Sequence, residues 1–520
     1  MIRNIIIVCS LLLSFYVHAQ PYFNFRFNYG QYIWWDGASN IFQLPDGYLI
    51  AGGNCYYSTS RLGLYKIDHQ GNKVFSKIYG DTIYDYYWGY PGSFVRFNEG
   101  TIVASGGKQS LIPGWVHQEG VLYFLNNDGD TLFTRCFGDI TLPIDTAYHI
   151  NQLKKTIGNS IITVGAIFPY NLKSKTTLIK TDSAVNKIWG KIYGYSDNYN
   201  GYSVICTSDG GYAVGGYVFD FTPPPNLTGD PFVLKTDSAG NQQWLNIYGN
   251  PSKTDSRGMI CKTSDGNMVL GTCYCDSMSG DNARRRINLI KLDNSGSIIW
   301  DKKYGSSTWD NTLFNIRENS DGTLISTGTA IQEGSSAYSY FGWILKTTSD
   351  GDSLWYRQYT VCQGEGTWQW LYDVIETPDL GYLACGVVYP KEPDTGSQDG
   401  WILKVDSLGC ENPDYCWVGM KPEPALPENT TLEIFPNPAE EEITIEIQPS
   451  ISLQPAILNL QRIKLRLYDL FGREVKTVEL FPDQTRYRLD VSELPEGLYL
   501  AAIESDGQVI ARKKVMKHAR

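Results

Sequence analysis

The segment Leu64–Gly71, which reads Leu-Tyr-Lys-Ile-Asp-His-Gln-Gly, is the first of seven copies of one pattern. The pattern is two apolar residues, Lys, any residue, Asp, any two residues and Gly. The later copies lie around Phe124, Lys180, Lys235, Lys291, Lys346 and Lys404. Lys66 and Lys404 are 338 residues and six intervals apart, so the period is near 56 residues. A fixed period of this length indicates a repeat architecture in which each copy is one supersecondary unit.

Two further markers accompany each copy. The first of these markers is an Asp-Gly or Gly turn followed by an apolar run, and it precedes the Lys-x-Asp pattern. It occurs at Asp46-Gly47, Asp209-Gly210, Asp265-Gly266 and Asp321-Gly322, and more loosely at Gly100, Gly158 and Gly381. After the Lys-x-Asp pattern comes a Tyr-Gly pair, at Tyr79-Gly80, Tyr193-Gly194, Tyr248-Gly249 and Tyr304-Gly305, with the variants Phe137-Gly138 and Tyr359-Thr360. The constant order of the three markers indicates that every copy folds in the same way.

Between the markers, apolar and polar residues alternate, which is the pattern of β-strands. The Asp-Gly and Asp-x-x-Gly segments supply the positive-φ positions of tight hairpin turns. Val185 replaces the turn glycine in the third copy, so we expect that turn to differ. Each copy predicts about four antiparallel strands, and four-stranded units repeated radially make a β-propeller. The predicted fold class is therefore all-β, with a seven-bladed β-propeller over residues 20–410.

The two ends of the repeat region predict how the propeller closes. The seventh copy stops at Gly409 without its last strand, and residues 22–29 carry the pattern of that missing strand. Radial closure also removes the exposed edges that an open sheet would leave. We therefore expect residues 22–29 to form the outer strand of the last blade. Cys410 and Cys416 are close enough in sequence to form a disulfide near this junction.

Composition and charge exclude several classes of function. The net charge of −11 argues against nucleic-acid binding, because nucleic-acid binders carry a basic surplus. The chain has only five histidines and contains no phosphate-binding Gly-x-x-x-x-Gly-Lys loop, His-Glu-x-x-His or Gly-x-Ser-x-Gly motif. We therefore expect neither a metal nor a cofactor.

The first 19 residues have the pattern of a secretory signal peptide. Arg3 supplies a positive charge, residues 5–17 are apolar, and cleavage after Ala19 would leave Gln20 first. The apolar run is too short to cross a bilayer, and we expect no transmembrane helix elsewhere.

A different β pattern follows a proline-rich linker at residues 411–430. Three motifs stand out. The first is Ile434–Ala439, which contains Pro436, Asn437 and Pro438, and the second is Leu467–Val475, which contains Gly472. The third is Leu489–Leu500, which contains Gly497 and Tyr499. In order, spacing and terminal position they resemble the C-terminal sorting domain of the type IX secretion system, over residues 431–520. The resemblance implies an Ig-like β-sandwich whose partners are the secretion translocon and its sortase-like protease. It also implies that the protein is secreted or held on the surface of a Gram-negative outer membrane.

Candidate ligand-binding residues lie in three segments that each follow a Tyr-Gly position. These segments are unusually aromatic, and their rings are Trp34, Trp35, Tyr84, Tyr86, Tyr87, Trp88, Trp368 and Trp370. They lead into the first, second and seventh blades, which are neighbours in a closed ring, so we expect three aromatic loops on one face. Exposed aromatic rings bind sugar rings or extended protein segments, and the alternative is that these rings plug the central channel or pack between blades.

A series of carboxylates occupies the same segments, at Asp36, Asp85, Asp145, Asp255 and Asp310. Their side chains could surround one mouth of the central channel and there bind a cation or act as acid and base on a glycan. The alternative is that each of them stabilises a repeated turn. We therefore keep three hypotheses. The first is an exported adhesion protein that binds a glycan or protein, the second is a polysaccharide-active glycosidase or lyase, and the third is a structural surface component.

Overall fold

The structure is a computed structural model that describes the following ranges. They are residues 22–29, 35–56, 59–111, 118–137, 147–169, 172–220, 229–250, 252–279, 282–333, 338–411, 431–448, 463–469, 474–480, 486–505 and 508–518. The predicted signal peptide and most of the predicted linker lie outside these ranges. The chain divides into two units with the boundary between Pro413 and Asp414.

The first unit is built from β-strands, and one 3₁₀ turn at Ile157–Asn159 is the only helical element that the described residues contain. In chain order the strands are β1 (Phe23–Phe27), β2 (Trp35–Asp36), β3 (Asn40–Leu44), β4 (Gly47–Tyr56), β5 (Thr59–Ile67), β6 (Lys73–Tyr79), β7 (Tyr84–Trp88), β8 (Phe94–Asn98), β9 (Thr101–Ser110), β10 (Gln118–Leu125), β11 (Thr131–Phe137), β12 (Ala147–Lys155), β13 (Ile161–Phe168), β14 (Lys175–Thr181), β15 (Lys187–Tyr193), β16 (Asn198–Cys206), β17 (Tyr212–Phe219), β18 (Gly229–Thr236), β19 (Gln242–Ile247), β20 (Met259–Lys262), β21 (Met268–Ser279), β22 (Asn282–Leu292), β23 (Ile298–Tyr304), β24 (Asp310–Glu318), β25 (Leu324–Glu333), β26 (Tyr338–Thr347), β27 (Ser353–Tyr359), β28 (Trp368–Glu376), β29 (Tyr382–Tyr389) and β30 (Asp399–Val405).

These strands form a series of antiparallel sheets with hairpin connections. Four sheets have four strands each, in the orders β16–β17–β18–β19, β20–β21–β22–β23, β24–β25–β26–β27 and β1–β30–β29–β28. In a fifth sheet, β2 and β3 both pair with β4, which continues to β5 and β6. The remaining nine-stranded sheet contains β7 to β15, and its two halves meet through one parallel pair, Gln118 with Ala147. The prediction of an all-β chain is confirmed, and the arrangement of the first unit is propeller-like.

Each group of strands packs against the next in chain order, and the last group packs against the first. Strand β28 contacts β24 on one side and β3 on the other. The hydrogen bonds that join the last group to the first include those from Ile41 N to Asp373 Oδ2 at 2.9 Å, from Ala38 N to Gly386 O at 3.1 Å and from Asp36 N to Gln398 O at 3.0 Å. The series is therefore a closed ring, and the first strand of each repeat forms its inner edge.

The N-terminal strand completes the last sheet as predicted. Strand β1 pairs antiparallel with β30, with Phe23 opposite Lys404 and Phe27 opposite Gly400. Arg26 also bonds to Asp399 across this pair. Strands from the two ends of the repeat region thus form one sheet, so ring closure does not rest on side-chain packing alone.

The Asp-x-x-Gly marker is a hairpin turn held by its own aspartate. In the first copy, Asp68 Oδ1 accepts from the N–H groups of Gln70 at 2.9 Å and Asn72 at 2.8 Å, and Gly71 has a φ of 84°. The prediction that the Val185 turn differs is wrong. Asp182 makes the equivalent bonds there, and Val185 takes a φ of 66°. Val185 is buried, and this burial offsets the strain of a side chain in the left-handed region.

The Tyr-Gly marker joins each repeat to the next one. The tyrosine hydroxyl donates to the carbonyl of the turn glycine in the following repeat, in the pairs Tyr79–Gly129, Tyr193–Gly240, Tyr248–Gly296, Tyr304–Gly351 and Tyr359–Gly409. The second repeat carries Phe137, which has no hydroxyl, and the turn it faces carries Val185. Both side chains belong to one apolar cluster, so an apolar contact replaces the hydrogen bond at this junction.

The lysine of the repeat pattern pairs with the aspartate of the Asp-Gly marker. Lys235, which is fully buried, donates to Asp209 at 2.7 Å and to Gln243 Oε1 at 2.9 Å. Equivalent pairs are Lys66–Asp46, Lys291–Asp265, Lys346–Asp321 and Lys404–Asp379. A buried ammonium group is tolerable only when it is paired and hydrogen-bonded, which explains why the two residues recur together.

These pairs predict that the first unit loses stability in acid. Partial burial raises the pKa of Asp209, but the bonds from Lys235 and Thr207 outweigh it and lower the pKa to about 2. Since this folded-state pKa lies below the unfolded value near 4, the stabilisation is present above that value and is lost as the pH falls towards 2. When melting temperatures are measured from pH 7 to pH 2, we expect them to begin to decline once the pH is lower than about 4. The decline should be shallower in Asp209→Asn, and an identical decline would contradict this assignment.

The second unit contains two antiparallel sheets around one core. Its strands are β31 (Thr431–Phe435), β32 (Glu442–Gln448), β33 (Ile463–Tyr468), β34 (Glu474–Leu480), β35 (Arg486–Asp490), β36 (Gly497–Ser505) and β37 (Gln508–Lys517). The sheet orders are β31–β32–β35 and β34–β33–β36–β37. Ile443 and Leu489 from the first sheet pack in one cluster with Leu465, Ala501 and Val515 from the second.

Candidate functional site

A cavity of about 460 Å³ lies at the inner edge of the ring. Its wall combines residues from several groups of strands, including Trp88 at the end of β7, Arg257 before β20, Thr312 in β24 and Trp370 in β28. Residues so far apart in the sequence meet only where the inner strands converge. The cavity is therefore a property of the closed ring and not of any single repeat.

β-Bulges in the inner strands bring further aromatic rings towards the centre. The pairing register shifts around Tyr202 in β16, around Phe314 in β24 and around Tyr372 in β28. A bulge inserts an extra residue without a cross-strand partner and redirects its side chain. The rings of Phe314 and Tyr372 lie 4.6 Å apart, and those of Tyr90 and Tyr202 lie 4.8 Å apart. Tyr202 and Tyr372 were absent from the predicted site because alternation along a strand gives no sign of a bulge.

Arg257 lies among these rings. Its guanidinium carbon is 5.1 Å from the ring centre of Tyr90, 5.3 Å from that of Tyr202 and 5.3 Å from that of Phe314. Each of these distances is within the range of cation–π attraction. No motif or repeat marker singles out this arginine, because it stands alone in a segment between two strands.

The predicted aromatic residues of the last repeat lead to the cavity. Trp368 is 46% exposed, and its ring lies 5.9 Å from that of Trp370 with an angle of 14° between the planes. Tyr340 contacts both rings, at 5.4 and 6.1 Å. Trp370 lines the cavity, and its Nε1 is a buried donor without an acceptor in the part of the chain that the structure describes. An aromatic surface therefore runs from solvent at Trp368 into the cavity.

The aromatic residues of the second repeat differ from the expectation of an exposed loop. Tyr84, Tyr86, Tyr87 and Trp88 form strand β7, which pairs with β9. Trp88 is only 8% exposed, donates from Nε1 to Gly63 O and packs between sheets, although it also borders the cavity. Tyr86 donates to Asp81, and Tyr87 accepts from Gln118.

The first of the three aromatic segments lies partly outside the described residues. Trp34 lies outside the described residues, and Trp35 is described only as part of strand β2. Among the predicted rings whose side chains the structure describes, Trp368 is exposed at the start of β28, Trp370 is half-buried on the cavity wall and Trp88 is buried. The expectation of exposed aromatic loops is therefore corrected to one exposed ring, Trp368, beside a cavity lined partly by Trp370 and Trp88.

The predicted carboxylates are bonded to neighbouring strands. Asp85 accepts from Ser60 N at 2.6 Å, and Asp255 accepts from Cys275 N at 2.6 Å and Asn250 N at 2.7 Å. Asp310 accepts twice from Arg285, at 3.1 Å each. Asp36 is buried, and Asp145 lies outside the described residues. This bonding favours the turn-stabilising interpretation of the series.

One carboxylate that the sequence did not single out has a strongly changed acidity. Burial and the neighbouring Asp255 raise the pKa of Asp230 to about 7. Asp230 Oδ1 is buried without a hydrogen-bond donor among the described residues. Neither aspartate lines the aromatic cavity.

The predicted motif residues of the second unit connect its first turn to its last strand. Asn437 donates from Nδ2 to Lys514 O at 2.9 Å and accepts from Met516 N at 2.8 Å. Pro436 and Pro438 flank it, and both follow cis peptide bonds. Tyr499 is buried in β36, which begins at Gly497, and donates to Pro495 O at 2.7 Å. Gly472 lies outside the described residues.

Residues 433–517 match the model of the secretion system C-terminal sorting domain. They are a type IX sorting domain. The chain is therefore exported by type IX secretion, to the cell surface or into the medium. No helix in the described ranges is long and apolar enough to cross a membrane. Cys410 is disulfide-bonded, but Cys416 is outside the described residues, so their pairing stays a prediction.

No curated protein matches the chain. Among solved structures, it is similar to a protein of unknown function from Dyadobacter fermentans, with 11% identity and a TM-score of 0.32 over 70% of this chain and 92% of the other. It is also similar to the β-propeller domain of the Trilobed protease from Pyrococcus furiosus, with 10% identity and a TM-score of 0.38 over 72% and 97%. A third similar structure is an α-L-arabinofuranosidase from Fusarium graminearum, with 10% identity and a TM-score of 0.37 over 60% and 91%. Likeness at this level carries no information about activity.

Proposed function

We propose that the first unit is a seven-bladed β-propeller that binds a saccharide outside the cell. The second unit is an Ig-like sandwich that directs the first unit across the outer membrane through the type IX translocon. A sortase-like protease there removes the sorting domain. The blade count is supported by the nine-stranded sheet, whose halves share a single parallel pair and so correspond to two blades, β7 to β11 and β12 to β15. The first of these has five strands because β7 and β8 both pair with β9.

The aromatic surface from Trp368 into the cavity carries the proposed binding function. Ligand sites are concave and mainly apolar, with few polar groups, and this cavity combines aromatic rings with the side chains of Ser39, Thr312 and Thr329. Flat aromatic faces suit the apolar faces of sugar rings, while hydroxyl and indole N–H groups suit sugar hydroxyls. Among the residues that the structure describes, the cavity wall contains no aspartate or glutamate, which favours binding over acid–base hydrolysis of a glycan.

The test is a glycan-array screen of the full chain beside a Trp368→Ala/Trp370→Ala variant. Loss of both rings should weaken binding by about 2 kcal/mol or more, roughly thirtyfold in Kd, because central aromatic contacts dominate interface energy. Tyr195→Ala is the matched control, since Tyr195 is 60% exposed and does not line the cavity.

Each outcome of the screen bears on the proposal. Saccharide binding that the double variant loses and the control keeps would support it. Equal binding by all three proteins would move the site elsewhere, and capture of extracellular protein segments without any saccharide would make the ligand a protein.

A further inference from the structure

The positive charge of Arg257 on the cavity wall indicates the chemical class of the saccharide, if the proposed binding function holds. We infer that the central cavity binds an anionic sugar, with Arg257 as the group that contacts the anion. Arg257 lies on the cavity wall next to the aromatic rings, so one ligand can stack on the rings and reach the guanidinium group.

Arg257 differs from other arginines of the same unit. Arg26, Arg285, Arg286 and Arg317 each pair with an aspartate. Within the described ranges, Arg257 has aromatic rings around it and no carboxylate ion pair. Arg257 forms a side-chain hydrogen bond with Tyr90, which is a neutral partner. A partly buried cation without a carboxylate counterion is costly, so a ligand anion there gains a charge-assisted bond.

Two further cations lie beside the same inner segment. A Cβ atom placed on Gly92 would be 3.6 Å from the terminal nitrogen of Arg317 and 3.7 Å from Nζ of Lys154. Burial and the neighbouring Arg317 lower the pKa of Lys154 to about 8. Asp373 pairs with Arg317, and neither Arg317 nor Lys154 lines the cavity. Arg257 is therefore the cation that a ligand in the cavity would contact directly.

An anionic sugar fits this arrangement better than an acidic peptide. The nearly parallel rings of Trp368 and Trp370 offer flat faces, which a sugar ring can cover and a flexible acidic side chain cannot. The guanidinium group is planar and can bond to the two oxygens of a carboxylate or sulfate. Both kinds of anionic group occur on extracellular polysaccharides.

The test is calorimetric titration of the full chain with trigalacturonate, its methyl ester, sulfated maltotriose and neutral maltotriose. The anionic probes should bind about tenfold or more tightly than their neutral counterparts, and this preference should shrink as salt is added. The preference should disappear in Arg257→Met and be partly kept in Arg257→Lys. Arg135→Met is the control, because Arg135 is exposed, lies over Phe133 and does not line this cavity.

The inference and the proposed function can fail separately. Equal affinity for charged and neutral probes, or a preference that survives in Arg257→Met, would overturn the inference and leave saccharide binding intact. Failure of every saccharide to bind would overturn both. Hexaglutamate that binds through Arg257 when the saccharides do not would replace the sugar with an acidic peptide. Melting temperatures of all variants exclude misfolding as the cause of a loss.

Discussion

Removal of residues 431–520 should eliminate the protein from the cell surface and the culture medium. This segment includes the sorting domain at residues 433–517, and its two sheets share one core, so the deletion removes the whole export signal. The first unit has a separate core and should still fold, and we expect it to accumulate inside the cell. Immunoblots of cell fractions and medium measure the distribution, and protease treatment of whole cells detects any surface-exposed protein.

A single substitution in the sorting domain should show whether export needs the structure of its first turn. Asn437→Ala removes both bonds between the first turn of the second unit and strand β37, and we expect reduced export. Arg488→Ala is the control, because Arg488 is 77% exposed and its contact with Glu442 is long, at 3.8 Å. Undiminished export of the chain without residues 431–520 would contradict the sorting assignment.

Much of the fold could be predicted because the repeat markers are themselves the contacts between strands. The Tyr-Gly and Asp-x-x-Gly markers recur because the hydroxyl of one repeat bonds to the turn of the next, as in Tyr193 with Gly240. The Lys and Asp-Gly markers recur because a buried lysine needs its aspartate, as in Lys235 with Asp209. The incomplete last repeat similarly indicated the pairing of β1 with β30.

The candidate site was less predictable because it depends on departures from strand regularity. The bulge at Tyr372 redirects a side chain that simple alternation assigns to a sheet face. Tyr90 and Phe314 are more than a hundred positions apart in the sequence. Both contact Arg257 only because the ring of strands is closed. Aromatic enrichment pointed to Trp368 and Trp370, and Trp370 lines the cavity. The same enrichment in β7 marked a strand in which Trp88 is buried between sheets.

Asp373→Ala should be the most destabilising single substitution among the polar residues of the inner strands. Asp373 is fully buried on β28, and its carboxylate accepts from Arg317 at 2.9 Å, from Asn315 and from Ile41 N at 2.9 Å. One side chain thus joins the last group of strands to the preceding group and to the first. Its removal leaves a cation and three further donors, Asn315, Ile41 N and Val374 N, without their acceptor. Such a loss typically costs about 3–5 kcal/mol in the free energy of unfolding.

Urea unfolding followed by tryptophan fluorescence measures this effect in the full chain. Residues 431–520 contain no tryptophan, so the signal reports on the rest of the chain. Asp352→Ala is the matched control, because Asp352 is 75% exposed in its pair with Lys302 and its loss should cost about 0–1 kcal/mol. Asp373→Asn keeps the size of the side chain and one acceptor oxygen, so its urea midpoint should lie between those of the other two variants. If Asp373→Ala unfolds at the same urea concentration as Asp352→Ala, the ring does not depend on this carboxylate, and the pairing of β1 with β30 must supply most of the closure.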